Sequence, residues 1–156
     1  MLLKLSLFLH VMAAILWIGG MLFITLVLAP FLRSLNDRKQ QSMLYQAVGT
    51  RYRFWGWVAI VTLLITGPIN LYLMGISPLL IFNPAFHGTD YGFALMMKLG
   101  FVFIIVASSL LHDFWIGPKA RQSPKYSKIA KIAGRSNLII AILIVIFAVF
   151  IRTGGV

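Results

Sequence analysis

Residues 2–32 read LLKLSLFLHVMAAILWIGGMLFITLVLAPFL, and Lys4 and His10 are the ionisable side chains in the run. A helix crosses the hydrocarbon of a bilayer with roughly 20 apolar residues, so this stretch is long enough to span. Backbone groups in lipid must be satisfied internally, which only helices and closed barrels achieve. Barrel strands alternate apolar and polar positions over short segments, whereas this run is continuous, which selects a helix. Residues 54–75, 91–117 and 137–151 behave alike. The last borrows its first turns from residues 126–134, where Ile129, Ile132 and Ala133 fall at helical spacing. The expectation is an all-α, integral membrane four-helix bundle: a single transmembrane domain over residues 1–156, with helices at about 2–32, 54–75, 91–117 and 126–151. A hydrophobic content of 60% and a mean hydropathy of +0.93 exceed what soluble domains carry. The first run continues past Gly19-Gly20 to Ala29 without a small-residue cleavage site, so it reads as a retained helix rather than a signal peptide.

Orientation follows from the basic residues, because short cytoplasmic loops are enriched in Lys and Arg. Arg33, Arg38, Lys39, Arg51 and Arg53 lie between the first two helices, and Lys119, Arg121, Lys125, Lys128, Lys131 and Arg135 lie between the last two. Residues 76–90 contain neither Lys nor Arg. Both termini and that loop are therefore expected outside, in a multi-pass protein of the cell's inner (plasma) membrane. The net charge of +11 is accounted for by this topology and by attraction to anionic lipid, so no nucleic acid is invoked as a partner. An apolar exterior of this kind is also compatible with a homodimer.

Cysteine is absent, which removes disulfides, thiolate metal sites and thiol catalysis together. Ala13, Ala14, Gly19 and Gly20 read as positions where helices approach closely, and Thr66-Gly67-Pro68 as a kink in the second helix. The informative residues are the ionisable ones at membrane depth, which are costly there: His10, Lys98 and His112. Lys98 and His112 are close to four turns apart and share a face of the third helix with Ile105. On the first helix, His10, Ala14, Trp17 and Met21 make a narrow stripe suited to a seam between helices.

The rise of about 1.5 Å per residue places His10 roughly 10 Å below the outer end of its helix, with Lys98 at a similar depth. His112 lies roughly 21 Å further along the axis from Lys98, near the cytoplasmic edge, so one flat ligand cannot use all three directly. The carboxylates are Asp37 and Asp90 in loops and Asp113 near the inner boundary, so Lys98 has no acidic partner at its own level. A bound anion such as a heme propionate would compensate it, with His10 supplying an axial nitrogen to the iron. Simpler readings stand beside these: Lys98 snorkels to the interface, and His10 is a neutral histidine bonded to a neighbouring helix. His112 marks a helix end beside Asp113, and His87 is solvated in the outer loop or offers a second axial ligand. Met12, Met74, Met96 and Met97 fall near the level of His10 and are either packing or soft ligands for Cu(I). Trp55, Trp57 and Trp115 flank the basic loops as interfacial residues.

His10-Val11-Met12-Ala13-Ala14, Trp17-Ile18-Gly19-Gly20 and Ala29-Pro30 together resemble the first helix of the copper resistance protein D (CopD) superfamily, which includes HemJ-type protoporphyrinogen oxidases. Met97-Lys98-Leu99, Leu111-His112-Asp113-Phe114 and Gly117-Pro118 are similar to its third helix, and Thr66-Gly67 recurs in its second. The resemblance implies that His10 binds heme b and that Lys98 is functionally required, which makes Lys98 the catalytic candidate. His10 and His112 are the metal-ligand candidates; Trp17, on the seam with His10, joins His10, Lys98 and His112 as a cofactor-binding candidate. The expected function is that of a heme b-binding membrane oxidoreductase, oxidising a porphyrinogen as HemJ does or passing electrons to quinone. The alternatives are a CopD-like copper transport or copper resistance protein and a cofactor-free structural subunit of a membrane complex.

Overall fold

The computed structural model describes residues 1–120 and 123–154; Arg121 of the second basic loop and the terminal Val156 lie outside the described residues. Among the described residues all regular structure is helical. Four helices are long and apolar enough to cross a membrane, which makes this a multi-pass integral membrane protein. We number them α1 (Leu2–Ser34), α2 (Arg38–Leu73), α3 (Asp90–Ala120) and α4 (Pro124–Thr153). The chain divides into two compact units, Met1–Met74 and Gly75–Val156, each built on one helix pair.

In the first unit α1 and α2 run antiparallel: His10 meets Thr66 and Gly67, Trp17 meets Gly56, and Gly20 meets Tyr52. Small residues make the approach possible. A side chain at Gly20 would occupy the space of the Tyr52 ring, whose hydroxyl donates to the Trp17 carbonyl at 2.6 Å. The buried seam of α1 carries Ser6, Ala13 and Trp17, with His10 half-buried between them. It is thus turned slightly from the expected stripe toward the small residues. α2 begins at Arg38 rather than near residue 54, because Asp37 caps it by accepting from the Lys39 N–H at 2.8 Å. Residues 38–53 are helical but polar, so hydropathy does not mark them. Pro68 lies inside α2, which continues to Leu73.

In the second unit α3 and α4 are likewise antiparallel, with Phe101 against Phe147 (ring centroids 5.7 Å apart) and Ser108 against Asn137. The Ser108 hydroxyl donates to Asn137 Oδ1 at 2.6 Å, and Asn137 Nδ2 donates to Ser109 Oγ at 3.3 Å. Polar side chains thus hold the pair at depth, as suits helices that gain no hydrophobic drive from lipid. Gly75, at φ +84°, supplies the left-handed residue that ends the turn after α2. Short helices at Pro78–Phe82 and Pro84–His87 lead to α3, whose first turn is capped by Thr89 accepting from the Gly92 N–H at 3.0 Å.

Both α1 and α3 widen into a π-helical turn, at Ile24–Leu28 and Leu111–Ile116. In each, the residue before a proline donates five residues back: Ala29 to the Ile24 carbonyl ahead of Pro30, and Gly117 to the His112 carbonyl ahead of Pro118. A proline ring collides with the carbonyl four residues back in a regular helix, and the wider turn accommodates it.

The outward apolar side chains are large and accessible, as in Phe103 (75% exposed) and Phe114 (69%), a surface that only lipid or further protein would cover.

Candidate functional site

His10 sits toward the end of the α1–α2 pair that holds the N-terminus of α1 and the C-terminus of α2. Its Nδ1 lies 2.7 Å from Thr66 Oγ1, and its Cε1 edge is close to Gly67, where a Cβ would sit 3.7 Å away. Thr66 is buried and donates its hydroxyl to the Thr62 carbonyl at 2.6 Å. The bond from His10 to a neighbouring helix, one of the two sequence readings, is therefore present. A ligating imidazole is commonly held in the same way through its other nitrogen, so the bond is compatible with the ligand reading as well. One helical turn nearer that end on each helix are Ser6 and Asn70, both buried, whose Oγ and Oδ1 have no hydrogen-bond partner among the described residues. The antiparallel register that pairs residue 10 with 66 puts 6 and 70 at one level. This end of the pair is the polar one. Trp17, two turns along, packs beside Gly56 and is 8% exposed.

Lys98 and His112 belong to the second unit, on one face of α3 with the buried Ile105. Lys98 is half-buried and makes no hydrogen bond or ion pair among the described residues. Tyr91, seven residues earlier on the same face, has a buried hydroxyl with no hydrogen-bond partner among the described residues. His112 lies in the π-helical turn and not at a helix end, and its Nδ1 pairs with Asp113 Oδ1 at 2.8 Å. His87 is exposed, with Nε2 at 2.6 Å from the Ile81 carbonyl. At the C-terminal end of α3 the Lys119 ammonium lies 4.9 Å from the Trp115 ring centre, an arrangement common at membrane interfaces.

Each unit carries one side chain of a kind that heme uses. Imidazole is a standard axial ligand, and an ammonium group in the membrane suits a propionate. In the first unit His10 could hold a heme iron; in the second, Lys98 could answer an anionic group. Among the described residues no three His, Asp or Glu side chains gather as a metal site, so a copper ion would have to draw on methionine thioethers. Sequence reasoning missed Thr66 as the partner of His10 and Tyr52 as the partner of Trp17. Both are far away in sequence, and only the pairing register of α1 with α2 reveals them.

A family model described as Copper resistance protein D matches residues 46–153, so the chain belongs to that family. Over 152 residues it is 40% identical to an uncharacterized protein of Aquifex aeolicus (strain VF5), covering 97% of this chain and 96% of that one. No solved structure matches.

Proposed function

We propose that the protein is a heme b-binding redox protein of the inner membrane. It would carry electrons between heme and a lipid-soluble partner, either a porphyrinogen, as in HemJ-type oxidases, or a quinone. The observation that carries the reading is His10: a half-buried imidazole inside a membrane-spanning pair, fixed through one nitrogen by a hydroxyl of the facing helix. Lys98, a lysine in a membrane span with no ion-pair partner among the described residues, supports it by calling for an anionic ligand. When bound, heme supplies the one-electron chemistry. The chain's own part is ligation by His10, charge compensation by Lys98 and exclusion of water by the apolar helices. Trp17 would pack near the cofactor, and His112, four turns along α3 from Lys98, is a second metal-ligand candidate.

A second reading, copper transport or resistance, is favoured by the description of the matching family. It would use His10 with the outer methionines Met12 and Met74 of the same unit. Heme and copper content of protein purified in mild detergent tests both. Near-stoichiometric heme supports the first reading; copper without heme supports the second and overturns the first.

A further inference from the structure

We propose that Thr66 is a positioning residue that fixes His10 as its Nδ1–H tautomer, so that Nε2 is the nitrogen presented to a metal. Two short contacts meet at one hydroxyl: Thr66 Oγ1 is 2.7 Å from His10 Nδ1 and 2.6 Å from the Thr62 carbonyl. A threonine hydroxyl carries one proton. If it donated to Nδ1, two oxygens would face each other at 2.6 Å with no proton between them, which is repulsive. Donation to the Thr62 carbonyl satisfies that contact, and the remaining lone pairs of Oγ1 then accept from Nδ1–H. Both contacts are satisfied only in this arrangement of a neutral ring. The proton on Nδ1 leaves the lone pair on Nε2.

Burial keeps the arrangement in place. Thr66 is 6% exposed, so water does not compete for the hydroxyl. Gly67 faces the Cε1 edge of the ring, where a Cβ would make ordinary van der Waals contact at 3.7 Å. The chain Thr62 carbonyl, Thr66 hydroxyl, His10 Nδ1–H is the arrangement by which a protein orients a ligating imidazole and raises its basicity. The conclusion about the tautomer stands on the hydrogen bonds alone; its consequence for heme rests on the function proposed above.

The test uses full-length protein with ¹⁵N-labelled histidine, purified in mild detergent after expression without added heme or copper. The couplings of the ring nitrogens to carbon-bound protons show which nitrogen is protonated, and His10→Ala assigns the signal. The expected result is Nδ1–H in the parent and in Thr66→Ser, with a shift toward the Nε2–H form in Thr66→Val, which keeps the shape and loses the hydroxyl. An Nε2–H ring in the parent, or an unchanged spectrum in Thr66→Val, overturns the proposal whether or not the protein binds heme. For heme-loaded protein, Thr66→Val is expected to weaken retention about 10- to 100-fold and to raise the midpoint potential, with Thr66→Ser close to the parent. A parent that takes up no heme would count against the function proposed above and leave the tautomer to the nitrogen spectra.

Discussion

At Lys98 an ammonium group lies within a membrane-spanning helix, half-buried and without an ion-pair partner among the described residues. An anchoring role and a ligand-pairing role make opposite predictions for Lys98→Met, which keeps length and apolar bulk while removing the charge. An anchor would lose nothing in cofactor content. Pairing with a carboxylate predicts roughly ten-fold weaker cofactor retention or more, since a charge-assisted hydrogen bond is worth about 1.5–3 kcal/mol. Lys98→Arg should restore part of it, because guanidinium still pairs with carboxylates in a different shape. Cofactor content after detergent washing decides. Lys98 and His10 were legible in the sequence because an ionisable group in an apolar run is anomalous on its face. Thr66 was not: a threonine in a membrane helix is ordinary, and its meaning comes only from the residue it meets across the pair. Of the two readings of His10, the hydrogen bond to a neighbouring helix is present, and a ligating imidazole would need the same kind of partner for its other nitrogen.

Among the helices, hydropathy found the four spans, and side-chain caps set the starts of α2 and α3. α2 starts at Asp37-Arg38 because a side-chain cap begins a helix wherever the chain supplies one, inside lipid or not. The π-helical turns were not legible in an apolar pattern, although Ala29-Pro30 and Gly117-Pro118 carry the steric cause. α3 offers a test of local packing. A Cβ at Gly92 would collide with the Phe86 carbonyl, which is backbone held in the turn that Thr89 caps, whereas a Cβ at Gly100 meets nothing within 4 Å. Gly92→Ala is therefore expected to destabilise by about 1–3 kcal/mol through overpacking. Gly100→Ala should be neutral or stabilising by up to about 1 kcal/mol, as is usual for Gly to Ala in a helix. Thermal midpoints of the two variants in the same detergent check the contrast, and equal midpoints would mean that the turn before α3 yields easily.

For the molecule as a whole, two loops rich in Lys and Arg against a loop, residues 76–90, without either predict that the basic loops face the cytoplasm. The chain has no cysteine, so single cysteines report cleanly. Ser77→Cys should react with an impermeant maleimide from outside intact cells, and Ser123→Cys only after the membrane is opened; equal labelling from outside would contradict the topology. Membership of the copper resistance protein D family fixes the kind of molecule and leaves its cargo to chemistry. The most direct measurement of that chemistry is the optical spectrum of the detergent-purified parent beside His10→Ala at matched protein concentration. The account predicts a Soret band with near-stoichiometric heme b in the parent, lost in His10→Ala while the helical circular dichroism is kept. A colourless parent, or a variant with the same band and the same heme content, would contradict it.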